Sequence, residues 1–145
     1  MRERRKKGCL LIFGIGHDIV EIQRMERLLN KSIGERFRRR ILTAAELELP
    51  GQSARPAEFL SGRFAAKEAV SKAFGCGIGQ VLSFTDMEIL PDVNGKPSVT
   101  LTPEAWERLG LAAAGRPEGG GYAIHLSITH ERQLASAFAV VERVE

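Results

Sequence analysis

Two acidic residues, Asp18 and Glu68, are the leading candidates for chemistry in this chain. Asp18 follows the apolar run at 10–16, and Glu68 lies in a stretch rich in helix-forming residues. Mg²⁺ is usually held by one or two protein carboxylates, while substrate phosphate oxygens and waters complete its octahedral shell. If the fold brings these two side chains together, they predict a magnesium site that takes a phosphorylated substrate.

Each carboxylate also has a structural interpretation, which spacing alone leaves open. The D-x-x-E pattern at 18–21 is typical of a helix start, where Asp18 would cap the N-terminus and contribute about 1 kcal/mol. Glu68 and Lys72 are spaced i,i+4 with the acid first. That is the arrangement of a surface ion pair, which stabilises a helix by about 0.2–0.5 kcal/mol.

A helix is predicted over 57–74, and at about 100° per residue its side chains divide into two faces. Glu68 and Lys72 lie opposite an apolar stripe, whereas Arg63 and Lys67 fall inside or beside it. Cations in that position extend their charged ends to water, contact bound phosphate or reach another subunit. The stripe consists of Phe59, Ala66, Val70, Ala73 and Phe74.

Two further groups give weaker signals. Gly75, Gly77 and Gly79 follow a helix, whereas phosphate-binding glycine loops lie between a strand and the start of a helix, so a helix C-cap is the simpler interpretation. His125 and His130 flank one predicted strand. A histidine there is either packed or exposed, or it contacts phosphate or carries a proton.

The segment 24–40 contains seven basic residues and two acidic ones. It is interpreted as a solvated helix face or as a surface for an acidic partner, because charge complementarity directs encounter. Its only aromatic residue is Phe37, and 6% of the whole chain is aromatic. This scarcity argues against stacking on single-stranded nucleic acid.

Strands and helices are mixed along the chain without a strict β-α-β alternation. The apolar run 10–16 predicts a strand buried on both faces, and Thr43 and Thr102 are predicted helix N-caps. The pattern predicts an α+β fold, a single compact domain with a mainly antiparallel sheet and helices packed on it. The other predicted elements are helices at 21–31, 44–49, 57–74 and 103–114, loops at 50–56 and 115–121, a hairpin of 84–90 with 98–101, and strands at 125–129 and 135–141.

The composition is that of one soluble globular domain: 145 residues, 43% hydrophobic and 27% charged. Residues 1–8 are predicted to form a flexible basic N-terminal extension and 9–145 a single domain, because five of the first seven side chains are basic. Without an apolar run of membrane length or a signal-peptide pattern, the protein is predicted to be cytoplasmic and to make no membrane contact. Cys9 and Cys76 match neither a disulfide framework nor a zinc spacing.

Four blocks in this order resemble the bacterial holo-acyl-carrier-protein synthases, the small class of 4′-phosphopantetheinyl transferases. They are GIGHDIVEI at 14–22 with Arg24, FLSGRFAAKEAVSKAFG at 59–75, NGKP at 94–97 and HLSITH at 125–130. The resemblance implies the phosphopantetheinyl transferase fold. It also implies transfer of the phosphopantetheine arm of coenzyme A to a serine of apo-acyl carrier protein, with release of adenosine 3′,5′-bisphosphate.

The resemblance also assigns roles to residues. Asp18 and Glu68 match the family residues that hold Mg²⁺, and Lys72, one turn beyond Glu68, is expected to contact phosphate or to stabilise the metal-site carboxylate. The general base is either a water at the metal or Glu68 itself. Arg63, Lys72 and His125 are the expected coenzyme contacts.

The expected partners follow from the same resemblance. The acidic carrier protein would contact Arg24, Met25 and Arg27 on the helix after Asp18, and the family's homotrimers, with active sites between protomers, would give Arg63 and Lys67 a place at an interface or near coenzyme phosphates. Two alternatives are a non-enzymatic module that binds nucleic acid or ribosomes through 24–40, and a hydrolase of nucleotide pyrophosphates. The resemblance favours the transferase and no nucleic-acid partner.

Overall fold

The structure, a computed structural model, describes residues 11–112 and 121–144. The predicted extension at 1–8 and nearly all of the predicted loop at 115–121 lie outside this part of the chain. Its strands are β1 Ile12–Glu21, β2 Met87–Pro91, β3 Pro97–Leu101, β4 Tyr122–His130 and β5 Leu134–Arg143. Its helices are α1 Ile22–Leu29, α2 Gly34–Ile41, α3 Ala44–Leu47, α4 Pro50–Ala54, α5 Pro56–Ala73 and α6 Pro103–Arg108, with a 3₁₀ turn at Phe84–Asp86.

The strands form two antiparallel sheets, which confirms the predicted α+β class. The larger sheet has the order β1-β5-β4, so the central strand β5 pairs on both sides. The smaller sheet is the predicted hairpin of β2 and β3. Its connection includes Gly95 at φ 80°, a left-handed conformation that glycine adopts without a steric penalty.

Helix α5 lies across the larger sheet, and β1 approaches it more closely than any side chain would allow. A Cβ added to Gly14 would lie 1.8 Å from the carbonyl oxygen of Ala73, and one added to Gly16 would lie 1.7 Å from that of Ala69. Backbone therefore packs directly on backbone here. The two glycines of the GIGHD block bring the start of the chain against the helix that carries Glu68.

The core forms two clusters on the two sides of α5. The first lies between α5 and the inner face of the larger sheet and includes Trp106 of α6. The second joins α1 and α2 to α5. Its buried members are Met25, Ile41, Leu42, Leu60 and Phe84.

Helix α5 was expected to have one buried face and one solvent-exposed face, but other elements enclose it on both sides. Ser61, on the predicted outer face, is fully buried, and so is Lys67, for which a phosphate or subunit contact was considered. Helices α1 and α2 cover the face of α5 that the sheet leaves free. Much of α5 therefore has no face in contact with solvent, which a helical wheel alone cannot reveal.

The structure excludes the alternative interpretation of Asp18 as a helix cap. Strand β1 continues to Glu21, so Asp18 lies inside a strand, opposite Ala137 of β5. The N-cap of α1 is Glu21, which forms no side-chain capping bond. Pairing with β5 along this whole stretch outweighs the local D-x-x-E signal, because a strand ladder satisfies every second backbone group.

Three smaller predictions also differ from the structure. Strand β1 is not buried on both faces, since Ile15 and Ile19 are 55% and 56% exposed. Residues 50–54 of the predicted loop form α4, which begins with Pro50 in the first turn, a position that proline favours. Helix α6 ends at Arg108 rather than near 114, and Gly110 follows in a left-handed conformation.

No helix of the described residues is long and apolar enough to cross a membrane.

Candidate functional site

Asp18, Glu68 and Lys72 come together where β1 crosses the second half of α5. The Nζ of Lys72 donates to Oδ1 of Asp18 at 3.0 Å and to the backbone carbonyl of His17 at 3.1 Å. The ion pair that spacing suggested between Glu68 and Lys72 is not formed, because Lys72 turns to the strand instead. These bonds connect Asp18, the candidate metal ligand on β1, to α5, which carries Glu68, the other candidate ligand.

Asp18 and Glu68 line one cavity of about 560 Å³, which we call the carboxylate cavity. Arg24 of α1 stands at its edge as the cationic lining residue. Most of the remaining wall is apolar, including Met25, Leu28, Phe37 and Phe64. Glu21, the last residue of β1, is a third acidic lining residue. Acidic side chains and Arg24 therefore adjoin an apolar groove between α1, α2 and α5.

The charge of Asp18 affects the protonation of Glu68. Partial burial raises the pKa of Glu68 above its ordinary value, the negative charge of Asp18 raises it further, and Lys72 acts in the opposite direction. A carboxyl group with a raised pKa beside a second carboxylate gains from an added cation. Hard oxygen donors of this type suit Mg²⁺.

The number of protein ligands also fits that metal. Within residues 11–112 and 121–144, no group of three or more His, Cys, Asp and Glu side chains is arranged to hold a metal ion. Mg²⁺ does not need such a cage, because substrate phosphates and waters supply the rest of its octahedron. Two carboxylates such as Asp18 and Glu68 would supply the protein's share of such a site.

The predicted partner contacts on α1 divide into two kinds. Arg24 and Arg27 are exposed. Met25 is only 3% exposed and packs in the second core cluster. Met25 is nevertheless a lining residue of the carboxylate cavity, so its place as a partner contact stays a prediction.

Arg63 lies away from the two carboxylates, in a second cavity of about 740 Å³ that we call the arginine cavity. Phe59 shares this wall, and the guanidinium carbon of Arg63 lies 4.6 Å from the centre of its ring. Lys96 of the β2–β3 turn and His130 at the end of β4 also line it. The arginine cavity has no lining residue in common with the carboxylate cavity.

His125 is not brought to either cavity within one chain. It pairs with Val140, whereas Asp18 pairs with Ala137 of the same strand, three residues away. Faces alternate along a strand, so His125 and Asp18 project from opposite faces of the sheet. Nε2 of His125 lies 2.8 Å from Glu142 on the outer face.

The outer face of the larger sheet is unusually apolar for an exposed surface. Its largest exposed apolar side chains are Ile12, Ile15, Ile19, Leu134 and Phe138, each at least 37% exposed. His17 lies among them, with Nε2 2.9 Å from the hydroxyl of Ser136. A contiguous apolar patch of this kind commonly marks an interface with another chain.

Sequence reasoning missed one buried charged residue beside the arginine cavity. Glu46 lies in the predicted helix at 44–49, and it completes a capping box with Thr43. It is also fully buried and forms an ion pair with Lys67 at 2.6 Å. Lys67 in an apolar stripe was the available signal, because a buried ammonium requires a buried anion.

Comparisons with known proteins agree on one family. The profile of the 4′-phosphopantetheinyl transferase superfamily matches residues 14–127. A holo-[acyl-carrier-protein] synthase of Geobacillus kaustophilus is 49% identical over 138 residues, which cover 92% of each chain.

Solved structures show the same likeness. The holo-[acyl-carrier-protein] synthase of Neisseria meningitidis is 38% identical, with a TM-score of 0.76 over 92% of this chain and all of the other. That of Bacillus anthracis, in complex with CoA (3′,5′-ADP), is 39% identical, with a TM-score of 0.70 over 92% of this chain and 98% of the other.

Proposed function

Because this chain belongs to the 4′-phosphopantetheinyl transferase superfamily, we infer that it transfers the 4′-phosphopantetheine group of coenzyme A to a serine of apo-acyl carrier protein. The serine oxygen attacks the β-phosphorus of the coenzyme pyrophosphate and loses its proton. The bond from that phosphorus to the bridging oxygen breaks, and adenosine 3′,5′-bisphosphate leaves. The observation that carries this inference is the meeting of Asp18, Glu68 and Lys72 beside a groove edged by Arg24.

Asp18 and Glu68 are proposed as the protein ligands of Mg²⁺. The support is their common cavity, their oxygen donors and the raised pKa of Glu68. Magnesium bound there would neutralise charge on the pyrophosphate as the phosphorus–oxygen bond breaks. The chain's own contribution is to hold both carboxylates on regular elements, a strand and a helix, so that their positions vary little.

Lys72 is proposed to act at the same place in two ways. Its bonds to Asp18 and to the carbonyl of His17 fix the carboxylate's orientation. With 49% of its side chain exposed, it also presents positive charge to an incoming phosphate. Glu68 is the candidate protein base, because its carboxylate lies at the proposed reaction site and could take the serine proton on an oxygen that the metal leaves free.

The arginine cavity is proposed to take the nucleotide end of coenzyme A. Arg63, Lys96 and His130 give it the donors that phosphate groups require, and the ring of Phe59 supplies an apolar wall. This cavity and the carboxylate cavity share no lining residue in one chain, so we propose that two copies of the chain together hold one coenzyme molecule.

We therefore propose a homotrimer with active sites between protomers. Its support is the apolar outer face of the larger sheet, where Ile15, Ile19 and Phe138 are each 46–56% exposed. His125 lies on that face and would reach the site of a neighbouring copy rather than its own. Light scattering at several concentrations measures the mass, and Phe138→Glu should dissociate the assembly.

Shared sites can be tested by complementation. Asp18→Ala and His125→Ala chains, each poorly active alone, should regain part of the transfer activity when they are mixed and reassembled, because some sites then contain two intact halves. Recovery no greater than the sum of the separate variants would contradict a site built from two chains.

The carrier protein is proposed to dock on α1. Arg24 and Arg27 are exposed there, and the apolar wall of the carboxylate cavity continues from Arg24 toward Leu28 and Phe37. Charge then directs the encounter, while apolar contact holds the serine near Asp18 and Glu68.

The deciding experiment incubates the protein with coenzyme A, apo-acyl carrier protein and Mg²⁺ and measures the carrier's mass. A gain of one phosphopantetheine group, lost when magnesium is chelated, supports the proposed function. Phosphate-ester products without any carrier would indicate a hydrolase instead. No mass gain with several apo-carriers, together with salt-sensitive RNA binding, would favour the nucleic-acid module.

A further inference from the structure

Glu46 joins three separate elements at the back of the arginine cavity. Its Oε1 accepts hydrogen bonds from Nζ of Lys67 at 2.6 Å and from the backbone N–H of Thr43 at 2.8 Å. Its Oε2 accepts one from the backbone N–H of Ile89 at 3.2 Å. The carboxylate is fully buried, so α3, α5 and β2 are connected through one charged group.

The guanidinium of Arg63 approaches the carboxylate of Glu46 from the side of the arginine cavity. Its Nε lies 3.7 Å from Oε2 of Glu46, and 14% of its side chain is exposed. That Nε is buried and has no hydrogen-bond partner among the described residues. The orientation of Arg63 therefore depends on the charge of Glu46 and on the ring of Phe59 beneath the guanidinium.

The cluster contains two cations, Lys67 and Arg63, and Glu88 of β2 is a second acidic group that acts on Lys67. Glu46 faces two cations, and burial lowers the pKa of both Lys67 and Arg63 while the carboxylate opposes that change. Lys67 also donates to the carbonyl oxygen of Ile41 at 2.6 Å, so its hydrogens are directed inward. Arg63 is left as the cation that points to the cavity, where an anionic group would compensate it.

We propose that Glu46 is a positioning residue for coenzyme binding, which holds the guanidinium of Arg63 toward a phosphate group in the arginine cavity. This inference rests on the proposed function. Glu46 is too deeply buried to touch the substrate, and it is not among the lining residues of the carboxylate cavity. Its loss should therefore weaken coenzyme binding and leave the chemical step nearly unchanged.

Removing Glu46 alone would leave Lys67 buried without a partner, which is costly in itself. The variant Glu46→Gln with Lys67→Met avoids this, because Gln keeps the size and an acceptor oxygen while Met fills the space of the lysine stem. Lys67→Met alone is the matched control, since Arg63 keeps its carboxylate. Thermal melting verifies that each variant is folded.

The expected result is a split between binding and turnover. In E46Q/K67M, KM for coenzyme A and the Kd of adenosine 3′,5′-bisphosphate should rise about tenfold, with kcat at saturating coenzyme within about twofold of the original. K67M alone should bind the nucleotide within about threefold of the original. A tenfold change corresponds to about 1.4 kcal/mol.

A second arm asks whether Glu46 acts through Arg63. In a chain that already carries Arg63→Met, adding E46Q/K67M should cause no further loss of nucleotide affinity. Wild-type affinity in E46Q/K67M, or an equal loss with and without Arg63, would overturn the inference. If E46Q/K67M unfolds, the same cycle is run with Glu46→Asp, which keeps the charge but withdraws it by one methylene, and the same outcomes apply.

The control for the underlying function is the unaltered protein. If it neither binds adenosine 3′,5′-bisphosphate nor modifies the carrier, the proposed function fails. If it does both and the Glu46 variants behave like it, only the positioning role of Glu46 is wrong.

Discussion

The ammonium of Lys72 lies 3.0 Å from Oδ1 of Asp18, although the two residues are 54 positions apart in the chain. Within the described residues, Glu68 has no ion pair of its own, even though it lies one helical turn from Lys72. Lys72 therefore bonds directly to one carboxylate of the candidate metal site and acts on the other only through its charge. This asymmetry leads to the first prediction.

Lys72→Met should lower kcat of carrier modification about 10²-fold, because a preorganised cation beside the reacting phosphates is lost. Lys72→Arg should recover part of that activity, since it keeps the charge with a different geometry. Initial rates at saturating coenzyme measure both. Equal rates for the Met and Arg variants would show that the charge at this position contributes nothing to turnover.

Asp18→Asn and Glu68→Gln should each abolish magnesium-dependent transfer without unfolding the protein. Glu107→Gln on the exposed face of α6 is the matched control and should keep full activity. Titration of Mg²⁺ against the coenzyme-bound protein measures metal affinity directly. If either variant transfers at a near-normal rate, the residue it replaces is not a metal ligand on which transfer depends.

Glu68 also predicts a pH effect on stability. The pKa of Glu68 is raised in the folded protein, so ionising this carboxyl destabilises the fold. The destabilisation is complete at pH values above the folded pKa and absent at pH values below the unfolded pKa, near 4.5. Without magnesium, Glu68→Gln should therefore melt at the same or a higher temperature than the original at pH 7, and the difference should vanish as the pH falls below about 4.5. A lower melting temperature at pH 7 would contradict the raised pKa.

Asp86 predicts the opposite pH dependence. Burial alone would raise its pKa, but bonds from Ser83 and Arg108 together hold it below its ordinary value of 3.8. Ionised Asp86 stabilises the folded protein at pH values above 3.8, and this stabilisation is lost as the pH falls through the folded pKa of Asp86. Asp86→Asn should thus lower the free energy of unfolding at pH 7 and lower it less at about pH 3, as measured by urea unfolding at both pH values.

Gly16→Ala should be among the most damaging single substitutions in the described chain. Its Cβ would lie 1.7 Å from the carbonyl oxygen of Ala69, a backbone atom that cannot rotate away. We expect a loss of at least about 3 kcal/mol or failure to fold. Gly79→Ala has no neighbour within 4 Å and should be tolerated, so similar denaturation midpoints for the two variants would contradict the close packing.

Arg24→Glu should raise KM for the acidic carrier protein at low salt, while KM for coenzyme A changes little. The effect should shrink as ionic strength rises, because exposed charges are screened. Arg143→Glu, an equal charge change at the far end of β5, is the control. An unchanged carrier KM in the Arg24 variant would exclude docking on this part of α1.

The elements that depend on local signals were predicted well from the sequence. The helix of Glu68, the hairpin around Gly95 and the paired strands of His125 have clear periodicity or turn residues, and each is present. Asp18 shows the limit of such signals. Its local pattern indicates a helix cap, and only its pairing with Ala137, far along the chain, makes it part of a strand.

The site could be predicted only in part for the same reason. The family resemblance singled out Asp18 and Glu68, but the wheel of α5 could not show that Lys72 turns to Asp18, or that Lys67 is enclosed with Glu46. Such contacts join elements that are distant in sequence. The burial of Met25 could not be predicted for the same reason, because it depends on α2 and α5 together.

The direct contact of β1 with α5 at Gly14 and Gly16 limits how this site can be redesigned. In many metal sites, the spacing of ligands is tuned by enlarging or trimming the side chains between the elements that carry them. No side chain lies between the backbones at these two glycines. A laboratory effort to change metal preference should therefore vary the length or donor type of Asp18 and Glu68 themselves, since repacking offers no means of moving β1 relative to α5.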